Sequence, residues 1–248
     1  MKALILAAGA GKRLHPLTIQ TPKTLLKVGE RFIVDYILRA IRMTGIDHVV
    51  LVTGYMADAI RSYLRRGTRW KLRISYLHNR KFAETNNILS VKVAKKALGG
   101  HPFLLVNSDV LFAPSILAKM LNVDRHIVVA VDSGRTLMDE EMKVSVGPDG
   151  HVVAIGKWLD PSASHAEFMG VAKFSSEGAV RFFEAVEETI RDQGVQVFYE
   201  RALNRLAQRG FPIYCADFKG YPWIEIDDYD DLNLARTVVI NQILDSPG

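Results

Sequence analysis

The chain of 248 residues holds a single cysteine, Cys215, which excludes an intrachain disulfide and a zinc site built from cysteines. A small buried apolar residue is the reading that remains for it. No apolar run approaches the roughly 18 to 20 residues that a membrane-crossing helix needs, so no integral membrane segment is expected. The amino terminus, Met1-Lys2-Ala3-Leu4-Ile5-Leu6, runs into a glycine-containing loop instead of a cleavage site, and a cytoplasmic, uncleaved protein is the expectation. The seven histidines form no HExxH or other pair at ligand spacing. A GxSxG elbow and a cysteine nucleophile are also missing, which favours direct displacement over a covalent enzyme intermediate. The remaining composition, 48% hydrophobic and 24% charged, is that of a folded chain with a sizeable core.

Net charge is a mild +5, but its distribution is uneven. Residues 61–81 carry eight basic side chains and no acid, whereas residues 225–231 read Glu-Ile-Asp-Asp-Tyr-Asp-Asp. Without an RRM, KH or dsRBD pattern, the basic stretch reads as a solvated face, and no nucleic-acid partner is expected.

Apolar residues outline alternating strands and helices. Residues 2–7 read as a buried strand, followed by a Gly-, Thr- and Pro-containing loop over 8–22 that is long enough to be functional. Ile33, Tyr36, Ile37, Ala40 and Ile41 repeat at helical spacing up to Gly45, and residues 48–52 form the next strand. The alternation continues through helices near 57–64 and 87–98 and strands near 72–76, 103–107 and 127–131, with a further helix after Pro114. Such alternation implies an open, mainly parallel sheet covered on both faces. After residue 131 the pattern changes to a hairpin (142–146 and 152–155), a strand at 168–174, helices at 176–191 and 197–208, and short strands at 213–216 and 223–226. A last helix starts near Asp228, with Asp231 as its reciprocal cap. No linker or repeat interrupts this order, so one domain over 1–248 is expected.

Glycines after the first parallel strand allow backbone N–H groups to approach a polyanion, with Arg13 and Lys23 placed to clamp phosphate oxygens. Neither GxxxxGK[ST] nor the third glycine of a dinucleotide fingerprint is present. The full string Leu6-Ala7-Ala8-Gly9-Ala10-Gly11-Lys12-Arg13-Leu14, with Pro16, Thr18 and then Pro22-Lys23, resembles the sugar-phosphate nucleotidyltransferase superfamily. The resemblance implies a Rossmann-like three-layer α/β/α fold with a mixed, mostly parallel sheet. A nucleotide-binding half would cover about 1–131 and an acceptor-binding half about 132–248. The residues Leu6, Ala7, Ala8, Gly9, Gly11, Lys12, Arg13 and Lys23 would wrap an incoming triphosphate, which a phosphorylated acceptor attacks in line with Mg²⁺ assistance, expelling pyrophosphate.

Asp109, at the end of a buried strand, and Asp227 match the superfamily's metal positions and, with Arg13 and Lys23, complete the implied catalytic set. Two carboxylates suit Mg²⁺, which takes hard oxygen ligands. Strand alternation puts Glu225 and Asp227 on one face, so spacing alone leaves Glu225 open as the second ligand, and the resemblance favours Asp227. Asn86-Asn87, with Glu141-Met142-Lys143-Val144, Ile155-Gly156-Lys157, Glu167-Phe168-Met169-Gly170 and Trp223-Ile224-Glu225-Ile226-Asp227, resembles the CTP:phosphocholine cytidylyltransferase-like branch. That branch implies CTP and a small phospho- or phosphono-amine such as phosphocholine or 2-aminoethylphosphonate. Asn86 and Asn87 would face the pyrimidine, and Lys143 and Lys157 the acceptor phosphate. A cationic head would want a carboxylate or aromatic cage, with Asp139, Glu140, Glu141, Glu167, Tyr199 and Trp223 as candidates and Glu167, in a strand next to Gly170, preferred. Amide side chains suit a base edge, although Asn86 equally reads as a helix cap. The same scaffold also serves hexose and inositol 1-phosphates or a silent regulatory copy, and a homo-oligomer is compatible with the sequence.

Overall fold

The computed structural model describes residues 1–245. In chain order the strands are β1 (Lys2–Ala7), β2 (Lys27–Val28), β3 (Arg31–Phe32), β4 (His48–Thr53), β5 (Arg73–His78), β6 (Phe103–Asn107), β7 (Val110–Phe112), β8 (Ile127–Asp132), β9 (Lys143–Val146), β10 (Val152–Gly156), β11 (Ala166–Phe174), β12 (Ile213–Asp217) and β13 (Trp223–Glu225). The helices are α1 (Leu17–Gln20), α2 (Ile33–Met43), α3 (Ala57–Leu64), α4 (Asn87–Leu98), α5 (Pro114–Leu121), α6 (Ser176–Gln193), α7 (Glu200–Gln208), α8 (Tyr229–Leu234) and α9 (Ile240–Asp245).

The central sheet runs β5-β4-β1-β6-β11-β8-β12, with every neighbour parallel except β11, which is antiparallel to both β6 and β8. Side chains that alternate along each strand feed two separate cores. Ala3, Ile5, Val49 and Leu51 pack with α2 and α5 on one face, and Leu4, Leu6, Val50 and Val52 pack with α4, α6 and α7 on the other. This is the three-layer α/β/α arrangement, and burial on both faces explains why β1, β6 and β8 are almost uninterrupted apolar runs. The β9–β10 hairpin joins the first residues of β11 through Ala166↔Val144 and Glu167↔Lys143.

Several elements escape periodicity. β7 pairs antiparallel with β13 in a separate two-stranded ribbon, and β2 pairs with β3. α7 begins at Glu200 instead of near 197, and the 8–22 loop contains the short α1. Residues 61–81 lie on α3, a turn and the edge strand β5, where Arg69 stacks 3.9 Å from the ring centroids of both Tyr63 and Trp70. Cys215 lies within β12, and burial, then the neighbouring Asp217, pushes its thiol up to about 12. Among the described residues no helix is long and apolar enough to cross a membrane.

β11 bends at Gly170, whose φ is +71° and where a Cβ would lie 2.8 Å from Asn107 Nδ2. The pairing with β8 shifts register across this point, between Phe168 and Ala172. Gly170→Ala is therefore expected to cost more than about 1 kcal/mol, because left-handed backbone and close packing both oppose the methyl group. Chemical denaturation that showed no loss of stability would contradict this account of the bend.

Candidate active site

The 8–22 loop leaves the carboxyl end of β1 and is tied back at several points. Tyr55 N–H donates to Ala8 O at 3.0 Å, Thr18 Oγ1 donates to Gly11 O at 2.8 Å, and the Tyr55 hydroxyl donates to Thr18 O at 2.9 Å. Gly11, at φ +61°, lets Lys23 pass close by, since a Cβ there would sit 3.2 Å from Lys23 Cβ. A Cβ on Gly9 would meet only open space, so the loop backbone borders an unfilled cleft.

That cleft, about 270 Å³, lies at the carboxyl ends of the parallel strands. Leu6, Ala7, Ala8, Gly9 and Gly11 line one wall together with Arg13 and Lys23. Asn86 and Asn87 line another, and Asp109, Lys157 and Asp227 complete the expected residues that reach it. Asn86 Oδ1 accepts from Asn87 N–H at 2.8 Å, capping α4, while Asn87 Oδ1 accepts from Tyr199 N–H at 2.8 Å. Each side-chain carbonyl thus already accepts one bond from the protein, and neither amide NH₂ group donates to a partner among the described residues.

The β7–β13 ribbon brings distant acids together. Ile226 N–H donates to Asp109 O at 2.9 Å, which places the segment after β13 beside the end of β6. Asp228 and Asp231 cap α8 reciprocally, and Asp231 also accepts from Asp227 N–H at 2.9 Å, fixing the backbone that presents Asp227. One carboxylate oxygen from each of Asp109, Glu225 and Asp227 falls within 4.8 Å of the others. Lys23 Nζ donates to Asp109 Oδ2 at 2.9 Å and to Asp227 Oδ1 at 2.7 Å, and Arg13 pairs with Asp227 Oδ2.

Electrostatics follow from this packing. Burial alone would lower the Lys23 ammonium, but Asp109 and Asp227 outweigh it and hold the group above its ordinary value. Burial, then repulsion from Asp109 and Asp227, pushes the Glu225 carboxyl well above the usual range. Burial opposes ionisation of Asp227 as well, yet Lys23, Arg13 and Lys157 keep it below its ordinary value. Asp109 Oδ1 is shut off from solvent with no hydrogen-bond partner among the described residues. An unpartnered carboxylate oxygen within an all-oxygen donor set fits a hard divalent cation.

Other expected residues lie elsewhere. Lys143, fully buried, donates to the carbonyls of Met138 (2.9 Å), Asp139 (2.9 Å) and Glu141 (3.2 Å), so all three of its protons hold the 138–142 loop and none faces the cleft. Glu167 is buried beside Arg135, 3.9 Å from Nη1, and Asp132 next to it accepts from Trp223 Nε1 at 2.8 Å. Lys12, in a 3-10 turn, does not line the cleft either. The loop that Lys143 anchors instead carries Glu140 to the mouth, 3.8 Å from both Arg13 and Lys157.

Glu200 was not foreseen. It lines the cleft, is 2% exposed, and its Oε2 has no hydrogen-bond partner among the described residues. Burial pushes its carboxyl up to about 7, against the pull of its own N–H, the Tyr199 hydroxyl and the Lys157 ammonium. The signal in the sequence was an acid in register with Leu203 and Ala207 on the apolar stripe of α7.

A glycine-walled cleft at the carboxyl ends of parallel strands, closed by lysine, arginine and three carboxylates, defines an α/β enzyme that handles a polyanion. The model of the Nucleotidyl transferase family matches residues 2–136, and the chain belongs to that family. Its members join a nucleoside triphosphate to a phosphorylated acceptor and generally use a divalent metal. The chain is 25% identical to the CTP:phosphoglutamine cytidylyltransferase of Campylobacter jejuni, over 94% of this chain and 98% of that protein. It is 30% identical to the CMP-5'-(3-aminopropyl)phosphonate synthase of Streptomyces rubellomurinus, over 93% of this chain but only 37% of that longer protein. Among solved structures, the inositol-1-phosphate CTP transferase from T. maritima has a TM-score of 0.83 at 24% identity, over 100% of this chain and 97% of that one, a likeness of fold.

Two stability predictions follow from the displaced residues. Lys143→Met is expected to lose about 3 kcal/mol, since three buried carbonyls lose a charged donor. A melting temperature within a degree of wild type would contradict the anchoring role. Burial raises Glu167 to about 7, with Arg135 opposing and Glu141, Asp132 and Asp231 reinforcing the shift. A folded-state value above the unfolded one means that folding takes up a proton, so stability falls as pH rises from about 4.5 to about 7 and is level above. Relative to Glu167→Gln, wild type should therefore lose roughly 2 kcal/mol between pH 5 and pH 8. Parallel melting curves at both pH values would show that Glu167 is not buried as described.

Proposed function

We propose that this chain transfers CMP from CTP to a small phosphorylated or phosphonylated amine and releases pyrophosphate. The observation that carries the reading is one cleft whose lining brings together the glycine backbone of the 8–22 loop, the Lys23–Asp109–Asp227 cluster, and Lys157 with Glu200. The CTP:phosphoglutamine cytidylyltransferase, matched over 98% of its length, supports CTP and a phosphorylated acceptor, and the CMP-5'-(3-aminopropyl)phosphonate synthase supports an amino-phosphonate.

In this reading the loop N–H groups around Gly9 and Gly11 receive the β- and γ-phosphates, and Arg13 neutralises the departing pyrophosphate. The free NH₂ groups of Asn86 and Asn87 serve the acceptor atoms of the cytosine edge. An acceptor oxygen attacks the α-phosphorus in line. As that P–O bond forms, the bond from the α-phosphorus to the α,β-bridging oxygen breaks, and pyrophosphate leaves with the electron pair. Lys157 orients the acceptor's phosphate or phosphonate, and Lys23 stabilises the charge gathering on the transferring group. Asp109 and Asp227, with Glu225 alongside, would hold Mg²⁺, which neutralises phosphate-oxygen charge when bound.

Pyrophosphate release is the test, crossing CTP, UTP, dTTP, ATP and GTP with phosphocholine, 2-aminoethylphosphonate, phosphoethanolamine, inositol 1-phosphate and glucose 1-phosphate. Turnover is expected with CTP and an amine acceptor, and to vanish on chelation of divalent metal. Activity confined to another nucleotide, or to the sugar and inositol phosphates, would overturn the substrate reading. Lys23→Ala should reduce kcat by about 10²-fold or more, the usual effect of deleting one preorganised electrostatic group. Near-wild-type turnover in that variant would remove Lys23 from the machinery.

A further inference from the structure

A second cavity, about 280 Å³, adjoins the cleft and shares Met142, Lys157, Phe198 and Glu200 with it as lining residues. Its outer wall is fixed. The Trp158 ring packs onto Gly156 so closely that no Cβ fits there, and the Arg201 guanidinium lies 3.4 Å from the Trp158 ring centroid. The Gln196 side chain donates to Glu84 O at 2.7 Å, holding the segment that carries Phe198.

Glu200 stands apart from the other buried acids of this chain. Asp35 accepts from the Tyr63 hydroxyl and Phe32 N–H, Asp132 from Trp223 and Gly134, and Glu167 faces Arg135. Glu200 alone among these four lines both cavities, and its Oε2, shut off from solvent, lacks a hydrogen-bond partner among the described residues. A buried carboxylate oxygen left without a donor is costly, and a ligand that brings a charged donor offsets that cost.

We propose that Glu200 sets acceptor specificity by accepting a hydrogen bond from a primary ammonium group, while the acceptor's phosphate or phosphonate lies at Lys157. The acceptor class is then a short zwitterion with an anionic group at one end and N–H donors at the other. A trimethylammonium head carries the charge but no donor for Oε2, and a hydroxyl carries a donor but leaves the carboxylate charge uncompensated. The inference rests on the CMP transfer proposed above and narrows its acceptor.

The test is steady-state kinetics with CTP and three acceptors of equal length, 2-aminoethylphosphonate, its N-trimethyl analogue and 2-hydroxyethylphosphonate. In the wild-type enzyme kcat/KM for the primary amine is expected to exceed both others by at least about tenfold, because a site built for a substrate N–H rejects analogues that lack it. In Glu200→Gln the three values should converge to within about threefold, chiefly through a rise in KM for the amine, and Glu200→Asp should restore part of the preference. A wild-type enzyme indifferent among the three overturns the assignment without recourse to any variant. So does a Glu200→Gln enzyme, folded by circular dichroism, that keeps the wild-type ratio. No CTP turnover with any acceptor would instead overturn the transfer itself, and this inference with it.

Discussion

Three carboxylates within 4.8 Å of one another need positive charge to persist, and the placement of Lys23 answers that constraint. Its ammonium joins Asp109 to Asp227, residues more than a hundred positions apart, and so ties the glycine loop, the end of β6 and the segment after β13 into one unit. With a side chain only 12% exposed, Lys23 acts at low effective dielectric, where a charge weighs most on a transferring phosphoryl group. Arg13 adds charge from the exposed rim.

The rest of the molecule positions that unit. The parallel strands bring β1, β4 and β6 to a common edge, as open α/β sheets do at their carboxyl ends. The antiparallel β11, bent at Gly170, lets the sheet accept a hairpin that carries Lys157, and α7 brings Glu200 to the same end. The β7–β13 ribbon is short, yet without it Glu225 and Asp227 would have no fixed relation to Asp109.

Much of this was legible in the sequence. The bounds of β1, α2, α4 and β6 follow from unbroken apolar runs and helical periodicity, because each is buried by local pattern alone. Alternation through Glu225 and Asp227 correctly put both on one face. β7 could not be read, since Val110-Leu111-Phe112 becomes a strand only by pairing with a partner more than a hundred residues away. Lys143 was expected at the acceptor phosphate by resemblance alone, and the carbonyls that claim it lie in an irregular loop that no local pattern signals. Glu167, expected at a cationic head, faces Arg135 with Asp132 nearby, neighbours that its own strand pattern does not reveal. Glu200 drew no reading from the sequence, although its place on an apolar stripe was the cue.

The lone thiol has a practical consequence. Cys215 is held inside β12 with its ionisation pushed up to about 12, so at neutral pH it presents almost no thiolate. The native chain thus starts from a single, poorly ionised thiol. A cysteine introduced at the exposed Glu140 position would be the one reactive handle on the molecule, and a fluorophore there would report on the mouth of the cleft as nucleotide enters and pyrophosphate departs.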